Sequence, residues 1–231
     1  LFGTLNYNKT IARSHNIRAL VGYQQENYRR DQLDAFRSDL PSEELWQIDI
    51  GSPALQNNNG TAVEWAMQSF FGRLNYDFKD KYLFEASFRD DGSSRFPEAN
   101  RWAFFPSVSA GWRLTEESFL SSIKFVDELK LRSSWGQLGN QNIGNYPYQN
   151  SLAATIYNFS GSLVQGFTLQ DLIYPDIRWE TTTVTDVGLD FSVFNSKLHG
   201  SVDWYKKTTK DILRELQVPS HIGVSGPSVN D

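Results

Sequence analysis

The clearest pattern in this sequence is the alternation of apolar and polar residues between Ser69 and Leu114. Three consecutive runs place apolar side chains at every second position, with polar side chains at most positions between them. The large apolar positions are Phe70, Leu74, Tyr76 and Phe78, then Tyr82, Phe84 and Phe88, then Trp102, Phe104, Val108, Trp112 and Leu114. Because successive side chains of a β-strand point to opposite faces, a period of two predicts strands with one apolar and one polar face.

The same alternation along the whole chain predicts eight strands and an all-β fold. Their approximate ranges are 1–9, 15–30, 61–78, 82–89, 102–114, 129–137, 179–194 and 198–210. Compact connections are expected at 10–14, 79–81, 115–128 and 195–197, and extended ones at 31–60, 90–101, 138–178 and from 211 onward. The 138–178 connection is predicted to be irregular, and helical turns are predicted at 42–46 and within 115–128.

Connections that alternate in length favour a membrane barrel over a soluble β-sandwich. Outer-membrane barrels have short turns at one rim and long loops at the other, and their tilted strands need about 9–11 residues to cross the bilayer. Closure also removes the exposed edges that make long strands prone to aggregation. We therefore predict an antiparallel transmembrane β-barrel segment of about eight strands, with a soluble ligand-binding sandwich as the alternative.

Composition and charge narrow the classes of function. The chain has 231 residues, of which 39% are hydrophobic and 14% aromatic, and this combination suits one apolar face better than a large dry core. The net charge of −5 argues against a nucleic-acid surface. The absence of cysteine excludes disulfides and thiolate metal sites. Because no run of 18 apolar residues occurs, the sequence predicts no transmembrane helix.

Several collinear motifs resemble the SusC/RagA-type TonB-dependent transporters of the Bacteroidetes outer membrane. They are FGRLNYDFKDKYLFEASFRDDGSSRF (71–96), RWAFFPSVSAGWRL (101–114), ESFL (117–120), LKLRSSWGQLGNQNIGNYPY (129–148), WETTTVTDVGLDFSVF (179–194) and YKKTTKDIL (205–213). The resemblance implies that residues 1–231 are a partial TonB-dependent-receptor β-barrel domain, about eight strands from the middle of a 22-stranded barrel. The plug, the N-terminal domain and the TonB box are then expected to lie outside this chain.

The resemblance also implies a function and partners. It implies TonB-coupled import of a bulky nutrient, an oligosaccharide or a peptide, across the bacterial outer membrane. The implied partners are a SusD-like surface lipoprotein, the TonB complex acting through regions outside this chain, outer-membrane lipid, and a second importer–lipoprotein pair in a homodimer. No cofactor, nucleic-acid partner or enzymatic activity is implied. A passive porin or a structural outer-membrane barrel is the alternative, which the presence of a plug and a TonB box would exclude.

Alternation predicts which side chains face lipid and which face the barrel lumen. The predicted lipid-facing residues are Phe70, Leu74, Tyr76, Phe84, Phe88, Val108, Trp112, Leu189, Phe191, Val202 and Trp204. The predicted lumen-facing residues are Arg73, Asn75, Asp77, Glu85, Arg89, Arg113, Arg132, Asp190 and Asp203. Near the middle of the bilayer, an arginine on the lipid face is expected to be far more costly than a substitution on the lumen face.

Aromatic residues of the long connections are candidates for contact with substrate or partner. They are Trp46, Tyr146, Tyr148, Tyr157 and Phe159. Packing within the loops is the competing explanation, because long loops need small clusters of their own. The sequence indicates no catalytic or metal-binding residues, since its three histidines, His15, His199 and His221, lack the spacing of metal ligands.

Overall fold

The computed structural model describes residues 1–120, 123–169 and 171–231, which form twelve strands. The strands are β1 (Phe2–Ile11), β2 (His15–Arg37), β3 (Gln56–Phe78), β4 (Tyr82–Ser93), β5 (Trp102–Arg113), β6 (Val126–Asn140), β7 (Leu152–Phe159), β8 (Ser162–Leu169), β9 (Glu180–Val193), β10 (Leu198–Lys210), β11 (Leu213–Glu215) and β12 (Ser228–Asn230). Short 3-10 turns lie at Ile48–Ile50, Glu98–Asn100, Leu114–Glu116 and Ser220–Ile222. No helix in the described ranges is long and apolar enough to span a membrane.

All eight predicted strands join a single sheet. Its order is β1-β2-β3-β4-β5-β6-β9-β10, so every neighbour in the sheet is also the next long strand along the chain. The pairing is antiparallel and in register over long stretches. One row runs from Asn75 through Glu85, Ser109 and Ser134 to Asp186, each opposite the next across β3 to β9. This continuous register confirms the predicted all-β antiparallel fold and fixes which side chains share a face.

Short turns and extended connections leave the sheet at opposite ends, as the sequence predicts, although the connection 114–125 between β5 and β6 is longer than the 94–101 connection. The turn between β3 and β4 holds Lys79 and Asp80 at φ of 57° and 52°, and Lys81 N donates to Phe78 O at 3.0 Å. Two consecutive left-handed residues match the right-handed twist of the flanking strands, which is why such turns close hairpins. Because the strands are antiparallel, the 94–101 and 141–179 connections and the segment after β10 leave the sheet at one common end. We call this the long-connection end.

Residues 27–66 form a compact unit of their own. It contains the second half of β2, the first half of β3 and the connection between them. Residues 31–37 and 56–60 are strand, so the prediction of a 31–60 loop is wrong at both margins: pairing in the sheet overrides the turn preference of the Asn-Asn-Asn-Gly sequence. The helical turn predicted at 42–46 is a single turn at 42–45, in which Leu45 N donates to the Ser42 carbonyl at 3.4 Å and Glu44 N donates to Ser42 Oγ at 3.1 Å. The 3-10 turn lies at Ile48–Ile50, where Arg37 Nη1 donates to the Asp49 carbonyl at 2.9 Å.

The predicted irregular connection 138–178 contains a β-hairpin, which corrects that prediction. Strands β7 and β8 pair only with each other, from Leu152 opposite Leu169 to Phe159 opposite Ser162. Ser160 and Gly161 make the turn with φ of 51° and 87°, and the side-chain oxygen of Asn158 accepts the Gly161 N–H at 2.9 Å. The helical turns predicted within 115–128 correspond to the 3-10 turn Leu114–Glu116 and to the turns after it, in which Leu120 N donates to Glu117 O at 3.1 Å and Val126 N to Ile123 O at 3.4 Å. Residues 121 and 122 of that segment lie outside the described residues.

The buried hydrophobic side chains of the described residues cluster at the long-connection end. Phe96, Phe105, Ile177 and Trp179 form this loop core, and Phe96 and Trp179 stack with ring centroids 4.9 Å apart. Trp179 Nε1 donates to the Arg101 carbonyl at 3.0 Å, which joins the 94–101 connection to the start of β9. The amides of Asn100 and Asn230 continue this network. They donate to Asp176 at 3.0 Å and to the Arg178 carbonyl at 2.8 Å. The bases of three connections are therefore held together.

At the opposite end, one carboxylate joins two of the short turns. Glu117 accepts hydrogen bonds from Lys81 Nζ at 2.9 Å, from Tyr82 Oη at 2.8 Å and from Trp112 Nε1 at 3.0 Å. The hydrogen bonds from Lys81 and Tyr82 lower the pKa of Glu117 below its ordinary value of 4.5. The ionised carboxylate is therefore favoured more strongly in the folded protein than in the unfolded chain.

This clamp predicts a pH-dependent contribution to stability. Because the folded-state pKa is the lower one, the contribution is present above pH 4.5 and is lost as the pH falls through the folded-state pKa. We expect Glu117→Gln to lower the thermal midpoint of the full-length protein at pH 7, and the difference from wild type to shrink as the pH falls below 4. The control is Glu116→Gln, which removes a more exposed carboxylate 3.6 Å from Arg113 and should have little effect. A difference that is independent of pH would contradict the assignment.

Candidate functional site: the polar face and the long connections

All nine residues predicted to face the lumen lie on one face of the sheet. Most of their register rows carry polar partners, as in Asn75 opposite Glu85 and Lys130 opposite Asp190. The exceptions are Arg89, which is opposite Phe71 and Phe105, and Asp77, which is opposite Leu83. Every residue predicted to face lipid lies on the other face. There Tyr82, Trp112, Leu131, Leu189 and Val202 form one uninterrupted apolar row across five strands.

The apolar face is unusually exposed for a protein surface. Leu74 is 43% exposed, Val202 65% and Trp204 61%, and similar side chains fill the rows between them. A continuous apolar surface of this extent marks a membrane or protein contact. Aromatic rings concentrate near the short-turn margin of this face, where Phe78, Tyr82 and Trp112 stack in sequence with centroids 6.2 and 6.3 Å apart. Aromatic girdles of this kind mark the interfaces of outer-membrane strands.

Arg132 is the centre of the strongest charge cluster on the polar face. Its guanidinium lies 3.2 Å from Asp186 and 3.1 Å from Asp190, and it also contacts Asp203 on β10. Gly188 makes this convergence possible, because a Cβ there would lie 2.3 Å from Asp203 Oδ1 and 2.6 Å from Arg132 Cζ. The planar guanidinium, with its fixed fork of donors, suits several carboxylates better than an ammonium. One arginine therefore joins β6, β9 and β10 and leaves an excess of two negative charges.

A second cluster surrounds Arg89, nearer the long-connection end. Arg89 donates to Asp91 at 2.7 Å and to Ser69 Oγ at 2.8 Å, and its guanidinium lies 5.6 Å from the centre of the Phe71 ring. Asp91 and Ser69 are buried. Arg89 and Asp91 therefore form an aspartate–arginine pair close to the start of the 94–101 connection.

The other predicted lumen residues lie between these clusters. Arg73 is 3.8 Å from Glu85, which also accepts a hydrogen bond from Asn75, and Asp77 accepts from Asn16 at 3.2 Å. A concavity of about 340 Å³ opens here, lined by polar side chains from β2 to β9. The face offers both charge signs and many amides and hydroxyls, which suits water-filled contact with a polar ligand or domain. Among the described residues, no group of three or more His, Asp or Glu side chains is placed to hold a metal ion.

Four of the five aromatic candidates lie in two pairs, Tyr146 with Tyr148 and Tyr157 with Phe159. Trp46 belongs to the separate 27–66 unit and is 79% exposed. Tyr148 packs against the loop core, which agrees with the loop-packing explanation. The Tyr146 ring contacts the Tyr148 ring edge-on, with centroids 6.3 Å apart. Tyr157 and Phe159 lie at the end of the β7–β8 hairpin with ring centroids 6.4 Å apart.

The other face of this hairpin is not among the predicted sites. Alternate residues of β7 and β8 present large apolar side chains that are all more than half exposed. We call this the aliphatic face, and it consists of Leu152, Ile156, Leu163, Phe167 and Leu169. Tyr157 and Phe159 lie on the opposite face, with Val164, Thr155 and Thr168. The alternation of Leu152, Ala154 and Ile156 was the available signal, but the polar and glycine residues around it concealed the pattern.

Comparison with known proteins agrees with this geometry. Residues 1–228 match the family described as TonB dependent receptor-like, beta-barrel. TonB-dependent receptor P39 of Formosa agariphila is 35% identical over 226 residues, which cover 97% of this chain and 22% of that receptor. TonB-dependent receptor SusC of Bacteroides thetaiotaomicron is 37% identical over 172 residues, which cover 71% of this chain and 17% of that receptor.

Solved structures give the same result. The structure of the RagAB peptide transporter matches with a TM-score of 0.90 at 30% identity, over 99% of this chain and 25% of the matched chain. The RagAB peptide importer in its open-open state matches with a TM-score of 0.86. The chain thus spans a quarter or less of the proteins it matches, and the resemblance to SusC/RagA-type transporters is confirmed. A sheet with one face for lipid and one for charge is what a stretch of such a barrel requires, and this chain belongs to the TonB-dependent receptor-like β-barrel family.

Proposed function

We propose that this chain is part of an active importer in the bacterial outer membrane, coupled to TonB, that takes up bulky oligosaccharides or peptides together with a SusD-like surface lipoprotein. The observation that carries the proposal is the division of the sheet into an apolar face for lipid and a polar face for the lumen. Family membership supports energy-coupled uptake over the alternative of a passive porin or structural barrel. A solved relative titled a peptide transporter supports a peptide as one substrate class.

On the polar face, the Arg132 and Arg89 clusters would contact a plug and the water around it. Both arginines are already paired, so their carboxylate partners are held in place and leave acceptor positions free for incoming donors. When a plug moves during transport, water must be able to replace its hydrogen bonds to the polar groups of the barrel wall. Partly exposed charges in hydrated surroundings meet that requirement, because each ion pair between such charges contributes little free energy by itself.

Energy coupling separates the importer from the porin. We expect a strain that carries the full-length receptor to take up its oligosaccharide or peptide substrate only while the TonB system is intact. Uptake should fall to background when TonB is inactivated, since the plug would then stay in the lumen. The control is a small solute that enters through other porins and should be unaffected. Substrate uptake that persists without TonB would establish the porin alternative.

The aliphatic face of the hairpin is the proposed contact for the lipoprotein. An isolated two-stranded hairpin is at best marginally stable in water, so five exposed apolar side chains on one face need a cover. Residues 152–169 include no Asp, Glu, Lys or Arg, whereas segments that lie on membrane surfaces carry basic residues on their polar side. Depletion of charge is also characteristic of the centre of a protein interface.

The size of this face indicates a partner that touches several connections. Two eight-residue strands, at about 3.3 Å per residue and about 4.8 Å of width for each strand, give a face of roughly 250 Å². A stable interface needs about 800 Å² on each partner, so the face is too small for a dimer through the hairpin alone. The loop core holds the neighbouring connections beside the base of the hairpin. A lipoprotein that covers this end would also contact the neighbouring connections and would so bury the area that a stable interface needs. Tyr157 and Phe159 on the other face of the hairpin would then be free for substrate.

Substitutions on the two faces of the hairpin should have different effects. We expect Ile156→Asp with Phe167→Asp to reduce recovery of the lipoprotein with the full-length receptor at least tenfold, because two buried carboxylates would lack partners. Thr155→Asp with Thr168→Asp is the matched control on the opposite face and should leave recovery unchanged. If both pairs bind like wild type, the hairpin is not the contact. If wild type itself recovers no lipoprotein, the two-component importer is wrong.

The orientation of the sheet predicts an asymmetry between neighbouring residues of β3. Leu74→Arg would place a charge against lipid and should cost about 2–4 kcal/mol near the middle of the bilayer, whereas Asn75→Arg places the same charge on the polar face beside Glu85. We expect the first variant to reduce the yield of folded barrel in an outer-membrane assembly assay and the second to resemble wild type. Equal yields from the two variants would contradict the orientation.

A further inference from the structure

The lipid-side face of β9 and β10 changes character abruptly toward the long-connection end. Its apolar rows end at Trp135 and Trp204. Thr185 and Lys206 share the register row of Trp135, and beyond them the same face carries Gln137, Thr183 and Thr208, then Thr181 and Lys210. The face therefore passes from indole rings to hydroxyl and ammonium groups within one register row.

The register places these groups in one patch. Lys206 is opposite Thr185, which is itself opposite Trp135, and Lys210 is opposite Thr181. The side chain of Gln137 donates to Thr183 Oγ1 at 3.4 Å, between the two lysine rows. The two lysines are four residues apart on one strand, or about 13 Å between their Cα atoms. Their flexible side chains can therefore reach a single group placed between them.

The charge of this patch is not neutralised by neighbouring carboxylates. Both lysines are exposed, and neither forms an ion pair with any carboxylate in the part of the chain that the structure describes. The nearby aspartates Asp186, Asp190 and Asp203 are on the opposite face, where they surround Arg132. Lys207 is also on that opposite face, because it is opposite Val184. The sheet thus separates two lysines toward lipid from one toward the lumen.

We propose that Lys206 and Lys210, with the hydroxyls of Thr181, Thr183 and Thr185, bind the phosphate group of a lipid headgroup. Tryptophan rings lie at the boundary between the hydrocarbon and headgroup layers, so the next rows along the strand are at the depth of the headgroups. Ammonium groups at that depth attract anionic headgroups, and hydroxyl donors can bond the remaining phosphate oxygens. The site requires only that this face meets lipid and is independent of import or of a lipoprotein.

Alternative uses of the two lysines have distinguishable chemistry. A free phosphate ion would need the ammonium groups but no acyl chains, whereas a headgroup binds together with its chains against Trp135 and Trp204. A carboxylate from a strand that pairs with the outer edge of β10 in the full-length protein would occupy the lysines permanently and leave no lipid site.

The test uses the full-length receptor in neutral detergent, with phosphatidic acid as the probe and diacylglycerol of the same chains as the comparison. Bound lipid is counted by native mass spectrometry. We expect wild type to retain phosphatidic acid over diacylglycerol, and the Lys206→Gln, Lys210→Gln double variant to retain at least about tenfold less. Lys207→Gln is the matched control, since it removes the adjacent lysine from the other face and should bind like wild type.

Three results would overturn the site. One is equal retention of phosphatidic acid by wild type and the double variant, which is also the result expected if a carboxylate already occupies the lysines. Another is an equal loss of retained phosphatidic acid in Lys207→Gln, which would show that retention depends only on net charge. The third is displacement of the lipid by millimolar inorganic phosphate, which would identify a free-anion site. Matching thermal midpoints of the three proteins exclude misfolding, and the assay contains neither transport substrate nor lipoprotein.

Discussion

The backbone hydrogen-bond ladder of the eight-stranded sheet is the constraint on which the rest of this protein depends. Hydrocarbon offers no partner for N–H and C=O groups, so strands that cross a bilayer must satisfy one another. Continuous antiparallel pairing from β1 to β10 does this, and the alternation of side chains then follows from the geometry of the strand. An apolar face and a charged face are two consequences of one ladder. The register also decides which charges meet, as when Gly188 provides the space in which Arg132 reaches Asp186, Asp190 and Asp203.

The two ends of the sheet are stabilised by different interactions. At the short-turn end, one carboxylate, Glu117, joins side chains from two turns with little additional chain. At the long-connection end, three connections share a small hydrophobic core around Phe96 and Trp179, supported by the amides of Asn100 and Asn230. Loops without such a core would lose much of their order to conformational entropy. Because their bases are fixed, the connections can present the β7–β8 hairpin without distorting the strands below it.

The surfaces of this chain indicate three kinds of surroundings. The apolar face of the sheet suits hydrocarbon, the lysine and threonine rows above Trp135 and Trp204 suit headgroups, and the charge-free aliphatic face of the hairpin suits another protein. Each surface would be unfavourable in the surroundings of another. This division is consistent with a barrel segment that contacts lipid, water and a surface partner at successive heights, and it shows why the long connections differ in composition from the strands that carry them.

The sequence alone determined the eight strands of the main sheet and their faces, because the alternation is local and each residue is compared only with its next neighbours. The positions of Arg73, Asn75 and Glu85 on one face, and of Leu74 and Phe84 on the other, follow from parity alone. The tertiary structure decided the contacts between distant residues. Arg132 meets Asp186 and Asp190 because β6 pairs with β9, from which the β7–β8 hairpin separates it along the chain. Phe96 meets Trp179 through the packing of two connections, which no local pattern encodes. Strand pairing likewise turned residues 31–37 and 56–60 into strand against their turn-like composition, because a neighbouring strand offers hydrogen bonds that an isolated segment lacks.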